Sequence, residues 1–278
     1  MKRVFSLIAA LGLAVAAAWA QDYNAAMEVY NNAAQAENKA DQIAGFREAM
    51  ALFAACEDED APAQVAKCQD NIVNLSFSIV NDQVKAKQFD EALASLDAAA
   101  AAAAEFGQDA ADRTKKLQGT IYNNLAKDNF KANPAVAADY AQKAIDIDEA
   151  TGATYLFLGM AKTQLKEADA AIAALEKAHE MGMAKQAAGP LSNQFVSKAA
   201  AANKAGKFAA AVEAAGKAIE YNASNANAFK LRGNAYVSLN KNADAIKDFE
   251  QYLALSPDAK DAAQIKKVIE QLKAAPKK

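Results

Sequence analysis

The sequence is poor in the residues that break helices and in those that hold metals. Its 278 residues include 5 prolines and 11 glycines, which argues against collagen-like, linker-like or loop-rich β architectures. Two cysteines exclude a disulfide-dense scaffold and a zinc site built from four cysteines. A single histidine excludes a histidine-rich metal site and would make a Ser-His-Asp triad depend on His179 alone. His179 lies beside Glu176 and Glu180 and reads as a surface residue of a charged helix. No glycine-rich phosphate loop, Cys/His ligand spacing or nucleophile elbow occurs. The acidic run Glu57–Asp60 lacks the alternating ligands and turn glycine of an EF-hand loop. No basic cluster is interleaved with aromatics, so nucleic-acid binding is not expected. These absences point away from an enzyme, a metal site or a cofactor.

What is abundant is alanine, 75 of 278 residues. Alanine is the best helix former because it loses almost no side-chain entropy in a helix. The fold class expected is all-α.

The first twenty residues read as a signal peptide. Lys2 and Arg3 form a basic start, Val4 to Ala18 is apolar, and Ala18-Trp19-Ala20 fits a small-x-small cleavage site. The apolar stretch, about 15 residues, is shorter than the roughly 20 needed to span a bilayer. Cleavage after Ala20 would leave Gln21 as the mature start, with no cysteine for a lipid anchor. No later segment is long and apolar enough to insert in a membrane, so a soluble periplasmic or secreted product is expected. Residues 21–117 carry 8 basic and 17 acidic side chains, and residues 118–278 carry 21 and 17. Such asymmetry can favour head-to-tail association or an acidic partner at the basic end, although solvated helix faces also produce it.

Internal repetition is the most specific signal. In the segment Ala226 to Ala259, Phe229, Gly233, Tyr236 and Val237 fall on one helical stripe. Ala245, Ile246, Phe249 and Leu253 form the next, and Pro257 closes the unit. Gly233 and Ala245 are small where two antiparallel helices must approach. Stepping back 34 residues, to Ser192, brings Phe195, Ala199, Phe208, Ala211, Ala218 and Ile219 into register. A step of 40, to Gly152, aligns Tyr155, Leu158, Gly159, Ala171, Leu175 and Ala178, the six extra residues being assigned to a Gly182–Pro190 connection. A further 34 leads to Gln118, with Tyr122, Leu125, Ala137, Ala144 and Ile145. Asn133-Pro134 reads as an N-cap and first-turn pair.

These units resemble the tetratricopeptide repeat, in the last unit almost position by position. Tyr252, where that pattern has a small residue, departs from it and suggests local repacking against a cap. Before residue 118 the match loosens to two degenerate hairpins. One lies in Val73–Ala104, and the other in Tyr23–Phe53 with Met27, Tyr30, Ile43, Phe46 and Met50 as its stripe. After the array, Ile265, Val268, Ile269 and Leu272 mark Asp258–Ala275 as a terminal capping helix, which a stacked array needs to cover its last repeat. The resemblance implies a right-handed α-solenoid of stacked helix-turn-helix hairpins with a C-terminal cap. The divisions read from sequence are a signal peptide at 1–20, degenerate repeats at 21–117, the array at 118–257, and the cap and tail at 258–278. Hinges are expected near residues 107 and 182–190.

Cys56 and Cys68 flank the acidic loop. In an oxidising compartment they would be expected to pair, closing a loop worth roughly 3 kcal/mol of chain entropy.

By the same resemblance, the first helices of the units line a concave groove that holds a peptide or protein segment. The groove positions are Tyr122, Asn129 and Phe130 in the unit from Gln118, then Asn193, Val196, Ala200, Asn203 and Lys204. In the last unit they are Asn227, Lys230, Asn234, Val237 and Ser238. Lys230 and Asn234 partly resemble the element with which some members clamp a C-terminal carboxylate, but Ala200 stands where a second polar contact belongs. The function implied is an exported adaptor or assembly scaffold for another envelope or secreted protein. The alternatives are a self-associating structural envelope protein and a cell-wall-associated helper subunit.

Overall fold

The computed structural model describes residues 22–274. The proposed signal peptide and its cleavage site lie outside the described residues. The rest is helical: α1 (22–35), α2 (Lys39–Ala55), α3 (Ala61–Lys85), α4 (Phe89–Glu105), α5 (Ala111–Asn129), α6 (Pro134–Asp146), α7 (Gly152–Gln164), α8 (Ala168–Ala178), α9 (Ala184–Lys204), α10 (Phe208–Tyr221), α11 (Ala226–Ser238), α12 (Asn242–Leu255) and α13 (Ala262–Ala274). This is the expected all-α array of stacked helix-turn-helix hairpins ending in a capping helix. The chain divides into two compact units between Ile121 and Tyr122, within α5.

In the first unit, α1 and α2 form a hairpin. Asn38 caps α2 by accepting a hydrogen bond from the backbone N–H of Asp41 at 2.9 Å. The two helices approach so closely that a Cβ on Gly45 would lie 2.6 Å from the Cβ of Ala33. Phe46 and Phe53 fill the core with Ala49, Cys68 and Ile72, and Tyr30 packs across both rings. α3 is much longer than a repeat helix, 25 residues, which is why the 34-residue register fails here.

The expected Cys56–Cys68 disulfide does not form in this structure; both thiols are free. Cys68 points into the core from the second turn of α3, fully buried among apolar side chains, and burial pushes its thiol up to about 11. Cys56 ends α2, and its thiol turns back along its own helix to donate to the Leu52 carbonyl.

In the second unit the repeat signature becomes geometry. A Cβ on Gly159 would sit 2.5 Å from Leu175, and one on Gly233 would sit 2.7 Å from Phe249. The glycines therefore occur where α7 meets α8 and α11 meets α12 too tightly for any side chain. The hairpin turns repeat as well. Lys166, Gly206 and Asn240 each take a left-handed φ, of 62°, 71° and 56°. The backbone N–H of the next residue reaches back to the helix before the turn, as Lys207 does to Ala202 and Lys241 to Tyr236. This is the glycine-type C-cap that ends a helix by satisfying its last carbonyls.

Of the expected Gly182–Pro190 connection only the start is a break: Met181 and Gly182 take non-helical angles, and the chain is helical from Ala184. A π-helical turn, His179–Met183, carries the kink through Gly182 at φ 90°, and α9 begins at Ala184. The extra residues extend α9 to 21 residues and bury Ala187 and Leu191. Pro190 sits inside that helix. Gly189 before it has no Cβ to clash with the proline ring, which makes the helical conformation accessible there.

The cap starts at Ala262 rather than Asp258, and Pro257 lies in the preceding turn. Ile265 and Ile269 pack on Phe249 and Tyr252. Tyr252, the residue that departs from the repeat pattern, is buried and donates its hydroxyl to Asp261 in the turn leading into α13.

Candidate binding groove

In the second unit the first helices of successive hairpins touch, α7 against α9 and α9 against α11. The second helices meet more sparingly, α10 reaching α8 through the Tyr221 hydroxyl, which donates to Glu176 at 3.2 Å. The first helices therefore form one continuous layer of the second unit, the layer that lines the concave side in a solenoid of stacked hairpins.

Much of the polar chemistry on this layer joins neighbouring helices. Thr154, fully buried, closes a capping box with Thr151 and donates to the Asn123 carbonyl oxygen on α5. Asn123 in turn donates to the backbone carbonyl of Glu149 at 3.1 Å. Gln164 on α7 donates to the Phe130 carbonyl, and the rings of Phe130 and Phe157 stand 5.1 Å apart. Gln194 on α9 donates to Thr163 at 2.8 Å. Ser192, also fully buried, donates to the Ala218 carbonyl and accepts from Asn225, both at 2.8 Å. Single residues at 31- to 34-residue separations thus tie each hairpin to the next.

The expected groove residues divide in two. Tyr122 lies at the α5–α6 contact, its ring 5.9 Å from Tyr140. Asn129 ends α5 and donates to the Leu125 carbonyl of its own helix. Asn203 donates to the Leu231 carbonyl of α11 at 2.9 Å, and its buried side-chain oxygen has no hydrogen-bond partner. All three are half-buried. Asn193, Lys204, Asn227 and Asn234 are exposed on α9 and α11. Asn193 receives one long hydrogen bond, 3.3 Å, from Asn225.

Lys230 is committed elsewhere. Its ammonium pairs with Asp261 at 3.1 Å and lies 5.1 Å over the Tyr252 ring. The Tyr252 hydroxyl and the Lys230 ammonium together hold the Asp261 carboxyl below the usual carboxylate range. Tyr252 is pushed up, first by its hydrogen bond to Asp261 and then by burial. Lys230 therefore fastens the cap to α11, and the clamp reading loses its cation. Sequence reasoning also missed the forked pair of Arg232 with Asp248, two 2.8 Å hydrogen bonds to a carboxylate that is buried. The only signal available was an acidic residue inside an otherwise apolar helix face. Among the described residues no group of three metal-ligating side chains comes together, and no helix is long and apolar enough to cross a membrane. His179 is half-buried, edge-on to Tyr221 at 5.6 Å.

Several solved structures resemble the chain. One is YrrB, a TPR protein with an unusual peptide-binding site, at 19% identity over 76% of this chain and 98% of that one, with a TM-score of 0.39. MamA protein matches at 20% identity over 69% of this chain and 94% of its own, with a TM-score of 0.35. The first TPR of Spaghetti (RPAP3), bound to the HSP90 peptide SRMEEVD, matches at 22% identity over 45% of this chain and 94% of its own, TM-score 0.31. No family model and no curated protein matches the chain.

Proposed function

We propose that this chain is an exported, non-enzymatic adaptor that holds an extended segment of another envelope or secreted protein against the inner faces of α9 and α11. Export rests on the signal-like residues before Gln21. The observation that carries the binding role is the set of exposed amides Asn193, Asn227 and Asn234 on adjacent first helices. Each amide offers both a donor and an acceptor, so a row of them can pair with an extended backbone of either polarity. Lys204 adds a positive charge at one end of the row. Lys230 has no part in it, because it holds the cap.

The test leaves the cap intact. Tagged wild-type chain and the triple variant Asn193→Ala, Asn227→Ala, Asn234→Ala are used to capture partners from the native envelope. Helicity should be unchanged, because all three residues are exposed, and the recovered partner should fall about tenfold, equivalent to roughly 1.4 kcal/mol. Undiminished capture by a normally folded variant would overturn the reading.

A further inference from the structure

A cleft of about 410 Å³ lies on the α9–α10 hairpin, and none of the groove positions named above lines it. Its floor is apolar and low: Phe195, Ala201, Ala202, Ala205, Ala210 and Ala214. Its rim carries Lys207 and Lys217 beside one carboxylate, Glu213, and also Lys198, whose charge is met by Asp169. Lys198 reaches Asp169 of α8 at 3.2 Å, which places the cleft on the side facing the preceding hairpin. Past the π-helical turn, α7 and α8 pack on α9 less extensively than α9 and α10 pack on α11.

The complementary shape is on α2. Leu52 is one of three exposed large apolar side chains among the described residues. Glu48, Ala51, Leu52 and Ala55 share one exposed stripe, at helical spacings, that runs on into the loop Glu57–Asp60. The basic residues of α2 do not neutralise it. Lys39 is paired with Asp82, and Arg47 is held by Glu105 through two 2.9 Å hydrogen bonds. The surface is thus a leucine set among carboxylates, where the cleft is an alanine hollow set among lysines.

We propose that α2 of one copy docks in the α9–α10 cleft of a second copy, Leu52 entering over the alanine floor and the flanking carboxylates facing Lys207 and Lys217. The two surfaces differ, so the contact is heterologous. Each copy keeps one free surface of each kind, and the association extends head to tail unless a ring closes. The charge difference between residues 21–117 and 118–278 acts in the same direction at longer range and is screened by salt.

Sedimentation velocity on the chain from residue 21 tests this with two variants, Leu52→Asp and Ala201→Trp, the second filling the hollow from an exposed position. Wild type should form concentration-dependent species larger than dimers, weakened at least about tenfold on going from low salt to roughly 0.5 M salt. Each variant alone should sediment as a monomer with wild-type helicity. Their equimolar mixture should give a one-to-one dimer and nothing larger, because the pair retains one good surface of each kind. A monomeric wild type, self-association surviving in either variant, or a mixture that stays monomeric would each overturn the proposal. The groove variant Asn193→Ala, Asn227→Ala, Asn234→Ala should self-associate as wild type does, which separates this proposal from the partner-binding role.

Discussion

Gly233 and Gly216 show how differently one residue type is used within the stacked hairpins. Gly233 faces the ring of Phe249, which is about as buried as a side chain can be, 1% exposed, and cannot give way. Gly233→Ala should therefore destabilise the fold by about 1–3 kcal/mol, the range for overpacking a filled interior. Gly216 lies inside α10, and a Cβ added there would meet nothing within 4 Å. Gly216→Ala should stabilise by about 0.5–1 kcal/mol, since only helix propensity changes. Denaturant titration of both variants checks the contrast, and equal effects would contradict the close-approach reading. The small residues at the helix seams were legible in the sequence because their position is periodic. The free state of Cys56 and Cys68 was not. Their proximity along the chain says nothing of direction, and one thiol faces the core while the other turns to Leu52.

At the scale of the element, the capping helix is held by packing and by charge. Ile265 and Ile269 cover Phe249 and Tyr252, and Lys230, Tyr252 and Asp261 meet at the edge of that contact. The Asp261 carboxyl is held below its ordinary range, so its contribution is complete above the usual carboxylate pKa of about 4 and is lost as pH falls through the lower folded value. Protection of α13 against amide exchange, taken relative to the intrinsic rate at each pH, should fall below about pH 4, more than that of α10. Asp261→Asn should flatten the acid dependence in α13 alone; a dependence unchanged in that variant would assign it to other carboxylates. The cap itself was readable from its amphipathic stripe. The bond from Lys230 was not, since its partner lies 31 residues on, in a turn whose residues show no periodicity. Tyr252 was the visible clue: a large residue where the repeat has a small one marks a place where a neighbour has changed. The inserted residues before Pro190 misled for a related reason. Gly182 does break the helix, but Ala187 and Leu191 find buried sites that keep the chain helical from Ala184 through Pro190.

For the whole molecule, the first-helix layer of the second unit ties the hairpins together and, in the proposed reading, also presents the exposed amides to a partner. Thr154, Gln164, Gln194 and Asn203, with Ser192 accepting from Asn225, hold neighbouring hairpins together. Asn193, Asn227 and Asn234 remain exposed between those ties. In a stacked array each hairpin is stabilised mainly by its neighbours, so the tying residues set the spacing at which the exposed amides are presented. The resemblance of the repeats could mark the layer but could not divide it, because the division depends on partners in the adjacent hairpin. Photo-crosslinking in the native envelope is the decisive measurement. A photoreactive residue is placed at position 234 on the inner layer, or at 247 on the exposed face of α12. A partner segment held on the inner layer gives a discrete adduct from 234 and none from 247. Adducts from 247 alone, or none from 234, would contradict binding on that layer.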